Sequence, residues 1–217
     1  MKIKVCGMKY SHNIKELAAL SPDYMGHIFW KSSARAMDNP PSEVSPDTVI
    51  TGVFVNASIP QIEKKVNNYN LGAIQLHGDE TPLFCRQLKD VFQKTSVIPL
   101  LIKVFAVGNT FNFSVLSEYE EVCDFFLFDA KGLLPGGNGH TFNWSLLQKY
   151  TLTKPYFLSG GIGPEHIEEL KTFFSNPASK YCHALDVNSG FEKSPGLKDI
   201  EKLKLFIQAV RQLEQTH

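Results

Sequence analysis

Short apolar runs alternate along this chain with longer stretches in which apolar residues return every three or four positions. The short runs fall at residues 3–6, 24–30, 49–55, 73–76, 100–104, 125–129, 156–158 and 184–187. Most are continuous, the pattern of strands buried on both faces. The longer stretches read as amphipathic helices. Residues 60–69 follow Ser58 as a cap, and residues 82–92 take Thr81 as N-cap with Pro82 at the first helical position. Residues 165–174 follow Gly163-Pro164 in the same style. Residues 199–213 place Leu203, Phe206, Ile207, Val210 and Leu213 on one stripe. The stretches after Tyr10, Pro41, Phe111 and Asn143 supply the remaining helices, some of them short.

Eight strands and eight helical segments in strict alternation predict a parallel sheet with right-handed crossovers. Eight such units predict an α/β fold of one kind: a single closed (β/α)₈ TIM barrel, with residues 1–217 as one catalytic domain. An open doubly wound sheet is the rival. It needs G-x-G-x-x-G after the first strand, and Cys6-Gly7-Met8-Lys9-Tyr10 lacks it.

Composition narrows the chemistry. The chain has 22 basic and 22 acidic residues and a formal charge of zero, so no basic stripe points to nucleic acid or an anionic membrane. Four cysteines, Cys6, Cys85, Cys123 and Cys182, lie far apart without a C-x-x-C, which predicts reduced thiols in a cytoplasmic setting. No signal-peptide pattern and no run long enough to span a bilayer is present. Seven scattered histidines form no ligand pair, so no metal is expected.

In a parallel barrel, function collects in the loops after the strands. Asp129 closes the run Phe125-Phe126-Leu127-Phe128 and is followed by a loop bearing Gly132, Gly136, Gly137 and Gly139. That loop is not a Walker A site, because Asn138 stands where Lys is required; it reads as a mobile cover. The other strand ends bring Cys6-Gly7, the segment Lys31 to Arg35, Asn56, His77 to Glu80, Ser159-Gly160-Gly161 and Asp186 to Gly190 to the same mouth. Asp79 and Glu80 read as capping residues at a helix start.

Several of these blocks occur together and in order: Lys4-Val5-Cys6-Gly7-Met8, Gly52-Val53-Phe54-Val55-Asn56, Ile74-Gln75-Leu76-His77-Gly78-Asp79-Glu80, Phe128-Asp129 with its glycine loop, Leu158-Ser159-Gly160-Gly161-Ile162, and Leu185-Asp186-Val187-Asn188-Ser189-Gly190-Phe191-Glu192. The ordered set resembles the phosphoribosylanthranilate isomerases. That resemblance implies a cofactor-free Amadori rearrangement in tryptophan biosynthesis. N-(5-phosphoribosyl)anthranilate would become 1-(2-carboxyphenylamino)-1-deoxyribulose 5-phosphate. It implies a general base at Cys6, a general acid at Asp129 and an anthranilate-carboxylate contact at Arg35. His77 and Asp186 match polar positions lining the site, and Gly160-Gly161 and Ser189-Gly190 match two phosphate-binding loops. One block departs from the family: Trp30-Lys31-Ser32-Ser33-Ala34-Arg35 lacks prolines around Lys-Ser, so Lys31 could share the carboxylate with Arg35.

The chemistry suits those residues. A carboxylic acid whose pKa is raised by a dry pocket can protonate the furanose oxygen as the ring opens. A thiolate whose pKa is lowered by positive charge can take the C2 proton. Expected partners are a small phosphorylated substrate and, at most, a second copy of the chain, as monomer or homodimer. Two rivals remain. A sugar-phosphate epimerase or indole-glycerol-phosphate synthase would use the same barrel with metal ligands or an early Lys and Glu, and a non-enzymatic barrel would bind the phosphorylated ligand without turnover.

Overall fold

A computed structural model describes residues 1–37, 46–131 and 141–215. Its strands are β1 (Lys2–Val5), β2 (Tyr24–Ile28), β3 (Val49–Phe54), β4 (Ala73–Leu76), β5 (Leu100–Val107), β6 (Phe125–Ala130), β7 (Tyr156–Leu158) and β8 (Cys182–Val187). They pair in sequence order, all parallel, and β8 returns to β1 to close the barrel. A two-stranded ribbon, β9 (Glu192–Ser194) and β10 (Leu197–Lys198), follows.

Strand alternation sorts the side chains into two environments. Tyr24, Ala73, Ile102, Val104, Leu127, Phe157 and Ala184 form a buried apolar plug within the barrel. The opposite faces, including Ile3, Val5, Ile74, Phe126, Phe128 and Leu185, join the larger core beneath the helices. The interior is filled at its lower level, and the residues near the strand C-termini open onto a pocket.

The helical layer departs from strict alternation. Among the described residues the α-helices are α1 (Ser11–Ala18), α2 (Ile59–Tyr69), α3 (Pro82–Phe92), α4 (Ile167–Phe174) and α5 (Ile200–Gln215). The helix expected after Pro41 and the glycine loop after Asp129 both lie outside the described residues, wholly or at their start. After β5 and β6 the chain forms 3₁₀ turns, Phe113–Tyr119 and Trp144–Lys149, instead of α-helices. Each begins with Asn, an aromatic residue and Ser. The Asn112 side chain accepts the Ser114 N–H at 3.1 Å, and Asn143 accepts that of Ser145 at 3.0 Å. Such a bond two residues ahead tightens the first turn. Thr81 caps α3 through the Phe84 N–H. Glu80 does not cap: it accepts the N–H groups of Asn56 (2.8 Å) and Gly78 (3.0 Å) and pairs with Lys103, tying the β3 and β4 loops together.

His27, on β2, faces the helical layer and is fully buried. Its Nδ1 lies 3.2 Å from the Met8 carbonyl, and its Nε2 has no partner among the described residues. Burial pushes its pKa down to about 4, with the Met8 bond opposing. The folded value lies below the unfolded one near 6.5, so the unfolded chain binds the proton first and stability falls with pH between those values. The expected loss is on the order of 3 kcal/mol from pH 7 to pH 4. Urea denaturation of wild type and His27→Gln across this range checks it. The variant should show the shallower fall, and parallel curves would refute the assignment.

Candidate active site

The pocket at the C-terminal mouth brings together residues from distant parts of the chain: Cys6, Arg35, His77, Asp129 and Asp186 all line it, as do Gly161 and Ser189. Cys6 follows β1, and Asp129 lies near the end of β6. Lys31 is exposed and is not in the lining.

Cys6 is 4% exposed, in a space left by Gly26, where a Cβ would come within 2.7 Å of Sγ. On the same face of β1, two residues earlier, Lys4 is completely buried, and its Nζ donates to Asp186 Oδ1 at 2.8 Å. Asp186 Oδ2 accepts the Ser159 hydroxyl at 3.3 Å. Burial works against the Lys4 ammonium, but Asp186 and Cys6 outweigh it and hold its pKa above the ordinary value. Burial pushes the Cys6 thiol up, against the pull of Lys4 and Lys198. That is the reverse of the lowered value expected of a base from sequence.

Asp129 is held from two sides. Oδ1 accepts the Ala130 N–H at 3.0 Å, and Oδ2 lies 3.3 Å from His77 Nε2. His77 Nδ1 faces the Gln75 amide nitrogen at 3.4 Å. In the tautomer where Nδ1 accepts from that amide, Nε2 carries the hydrogen directed at Asp129. Gln75 and His77 share a face of β4 by strand alternation.

Arg35 is not a free cation. Its Nε donates to Glu192 Oε1 and Oε2 at 2.9 and 3.1 Å, and Nη2 donates to Oε2 at 2.7 Å. Lys198 Nζ reaches Glu192 Oε1 at 2.6 Å and Asn188 Oδ1 at 2.7 Å. Burial pushes the Glu192 carboxyl up, but Arg35 and Lys198 outweigh it and hold it below its ordinary range. Burial draws the Lys198 ammonium down, and Glu192 opposes that.

The loops after β7 and β8 meet. Gly160 and Gly161 have φ of +93° and +65°, a left-handed path that favours glycine, and a Cβ on Gly160 would lie 2.5 Å from the Ala130 nitrogen. A Cβ on Gly190 would lie 2.7 Å from the Ile162 carbonyl oxygen. The helix behind Pro164 starts later than its sequence pattern: Pro164–His166 is a 3₁₀ turn, and His166 Nδ1 accepts the Gly163 N–H at 3.0 Å. The Gly163 N–H is therefore engaged within the protein. Among the described residues, no cluster of three or more His, Cys, Asp or Glu is placed to hold a metal ion.

The sequence placed Ser159 at the mouth without a role, and it gave none to Lys4, Gln75, Glu192 or Lys198. Lys4 and Gln75 carried a signal: each stands two residues before a site residue in a strand, so it shares that residue's face. Lys198 and Glu192 carried none of that kind, since the ribbon that joins them was not anticipated.

Comparison with known proteins adds independent findings. The family model for N-(5'phosphoribosyl)anthranilate (PRA) isomerase matches residues 3–209. An N-(5'-phosphoribosyl)anthranilate isomerase of Parabacteroides distasonis is 43% identical, over 97% of this chain and 93% of its own. The phosphoribosyl anthranilate isomerase of Thermus thermophilus superposes with a TM-score of 0.83, covering 98% of this chain and 100% of its own; at 23% identity it supports the fold. A phosphoribosyl anthranilate isomerase in complex with reduced 1-(o-carboxyphenylamino)-1-deoxyribulose 5-phosphate superposes with a TM-score of 0.77 at 27% identity, over 98% of this chain and 99% of its own. By the extent of these matches, and with a closed parallel barrel around its pocket, the chain belongs to the N-(5'-phosphoribosyl)anthranilate isomerase family.

Proposed function

We propose that this chain converts N-(5'-phosphoribosyl)anthranilate to 1-(2-carboxyphenylamino)-1-deoxyribulose 5-phosphate, an aldose–ketose isomerisation of tryptophan biosynthesis that needs no cofactor. One observation carries the reading: Cys6 and Asp129, from separate strands, open into a single pocket between Arg35 and the loops after β7 and β8. Ile28, Trp30, Val53 and Val55 give the Arg35 side an apolar wall suited to an aryl ring. The backbone of Gly160-Gly161 and Ser189-Gly190 suits the phosphate at the other end.

The steps follow from those positions. Asp129 gives its proton to the ring oxygen as the C1–O bond breaks, and the nitrogen lone pair forms a cationic C1=N iminium. His77, with Nε2 3.3 Å from Asp129 Oδ2, fixes the carboxyl. The thiolate of Cys6 then takes the C2 proton, and the electron pair moves through C1 to nitrogen, giving an enolamine. Loss of the enol O–H proton and protonation of C1 give the ketone. In the free pocket burial keeps Cys6 protonated; the positive charge of the iminium favours the thiolate, and the thiol proton leaves to solvent before the C2 proton is taken. Lys4 holds Asp186 beside this centre. On this reading residues 1–217 are one catalytic domain acting in the cytoplasm, as a monomer or homodimer. No helix among the described residues is long and apolar enough to cross a membrane.

The direct test is turnover of freshly generated phosphoribosylanthranilate, followed by the fall in anthranilate-type fluorescence. An unchanged decay rate would remove the reading. Cys6→Ser and Asp129→Asn should each lower kcat by at least the roughly 10²-fold typical of a general acid or base. Near-normal turnover in either folded variant would strip that residue of its role.

The phosphate end gives a separate expectation. Gly161→Val places a branched side chain where φ is +65° and the pocket wall is backbone. KM should rise by about tenfold or more, with kcat changed only a few-fold, if the phosphate holds substrate and transition state alike. Inorganic phosphate should inhibit wild type competitively and the variant weakly. Equal inhibition of both would move the phosphate elsewhere.

A further inference from the structure

Resting on the proposed function, we infer that Glu192 and Lys198 are positioning residues that aim Arg35 at the carboxylate of the substrate's aryl group. A guanidinium has five N–H donors arranged along two usable edges. Glu192 occupies the edge formed by Nε and Nη2, with three contacts of 2.7 to 3.1 Å. This leaves the edge formed by Nη1 and the second Nη2 hydrogen for another carboxylate. The Glu192 side chain is 6% exposed and that of Arg35 is 17% exposed, so the carboxylate is the buried partner and the guanidinium the one that meets the pocket.

Glu192 is itself fixed. It accepts from Lys198 Nζ at 2.6 Å and from the Gly196 N–H at 2.9 Å. Lys198, whose side chain is fully buried, is anchored in turn on Asn188. The arginine stem is confined as well, because a Cβ at Gly7 would lie 2.9 Å from Arg35 Cδ and 2.7 Å from Asn188 Oδ1. Gly7 adjoins Cys6, so the cation and the thiol are held by one turn of backbone.

Charge completes the argument. Arg35, Lys198 and Glu192 together carry one unbalanced positive charge, and of the three it is Arg35 that lines the pocket. An incoming carboxylate neutralises it. If the Glu192 charge is removed, Arg35 and Lys198 repel across the same space, and the guanidinium loses the partner that sets its plane.

The test compares two substrates, phosphoribosylanthranilate and its decarboxy analogue N-(5-phosphoribosyl)aniline, in Glu192→Gln, Lys198→Met and Arg35→Met. Glu192→Gln should raise KM for the natural substrate by about tenfold with kcat within a few-fold, and leave KM for the analogue unchanged. Lys198→Met should give the same KM pattern more weakly, with a lower kcat for both substrates because Lys198 also draws the Cys6 thiol down, and Glu192→Asp should recover part of the loss. In an Arg35→Met background, Glu192→Gln should add nothing, as a double-mutant cycle requires for residues acting through one contact. Equal losses for both substrates would reduce Glu192 to a structural role and overturn the inference. An unchanged or lower KM for the natural substrate would do so too. If Glu192→Gln does not fold, Lys198→Met and Glu192→Asp decide on the same criteria. Arg35→Met with unchanged KM would instead remove Arg35 from the proposed function.

Discussion

Closure of the barrel at the β1–β8 seam governs what this molecule can do. Lys4 and Asp186 are register partners across that seam and also partners in a buried ion pair of 2.8 Å. A lysine with no exposed surface is tolerable only with its charge matched. Removing either member of such a pair costs about 3–5 kcal/mol, because the other is left charged and dry. The pair therefore ties the first strand to the last at the level where the apolar plug ends. Cys6 stands two residues beyond Lys4, just past the end of β1, and Ser159 meets Asp186 from the side of β7. A slip of the seam by one residue would turn Lys4 and Asp186 to opposite faces, and the thiol would leave the pocket with them.

The apolar plug and the polar mouth are two halves of one constraint. Below, Leu127 and Phe157 exclude water; two positions further along the same strand directions stand Asp129 and Ser159. Alternation with a period of two makes this inevitable once an apolar residue faces inward. The polar groups cannot then hydrogen-bond to water freely, so they bond to one another. The Gln75–His77–Asp129 line and the Lys4–Asp186–Ser159 line are the result. Each line holds its members in a defined orientation.

The strands were legible because burial on both faces leaves continuous apolar runs, as at Phe125-Phe126-Leu127-Phe128. Their ends were less so: β5 continues to Val107, three residues past the apolar run recognised at 100–104. The helical layer was over-read after β5 and β6, where Asn112 and Asn143 capture an amide two residues ahead. Cys6, His77, Asp129 and Asp186 were legible from strand ends and motif order, and the structure brings them to one pocket. Arg35 was legible as a cation but its engagement by Glu192 was not, because the ribbon from Glu192 to Lys198 carries few apolar residues to announce it.

The two ends of the pocket differ in how they hold charge, and the difference bears on the chemistry between them. At the β7 and β8 loops, backbone amides supply partial charges that no proton transfer can alter. At the other end, Arg35 is a full charge whose direction depends on Glu192 and Lys198. Between them lies Cys6, a thiol pushed up by burial and drawn down by Lys4 and Lys198. Lys198 therefore touches both groups: through Glu192 it steadies the Arg35 cation, and its charge favours the Cys6 thiolate. On the proposed reading, an aryl carboxylate offsets the Arg35 charge on binding, and ring opening then creates a new positive charge on the substrate nitrogen, one carbon away from the carbon that loses its proton. The new charge appears at the step where a thiolate is needed.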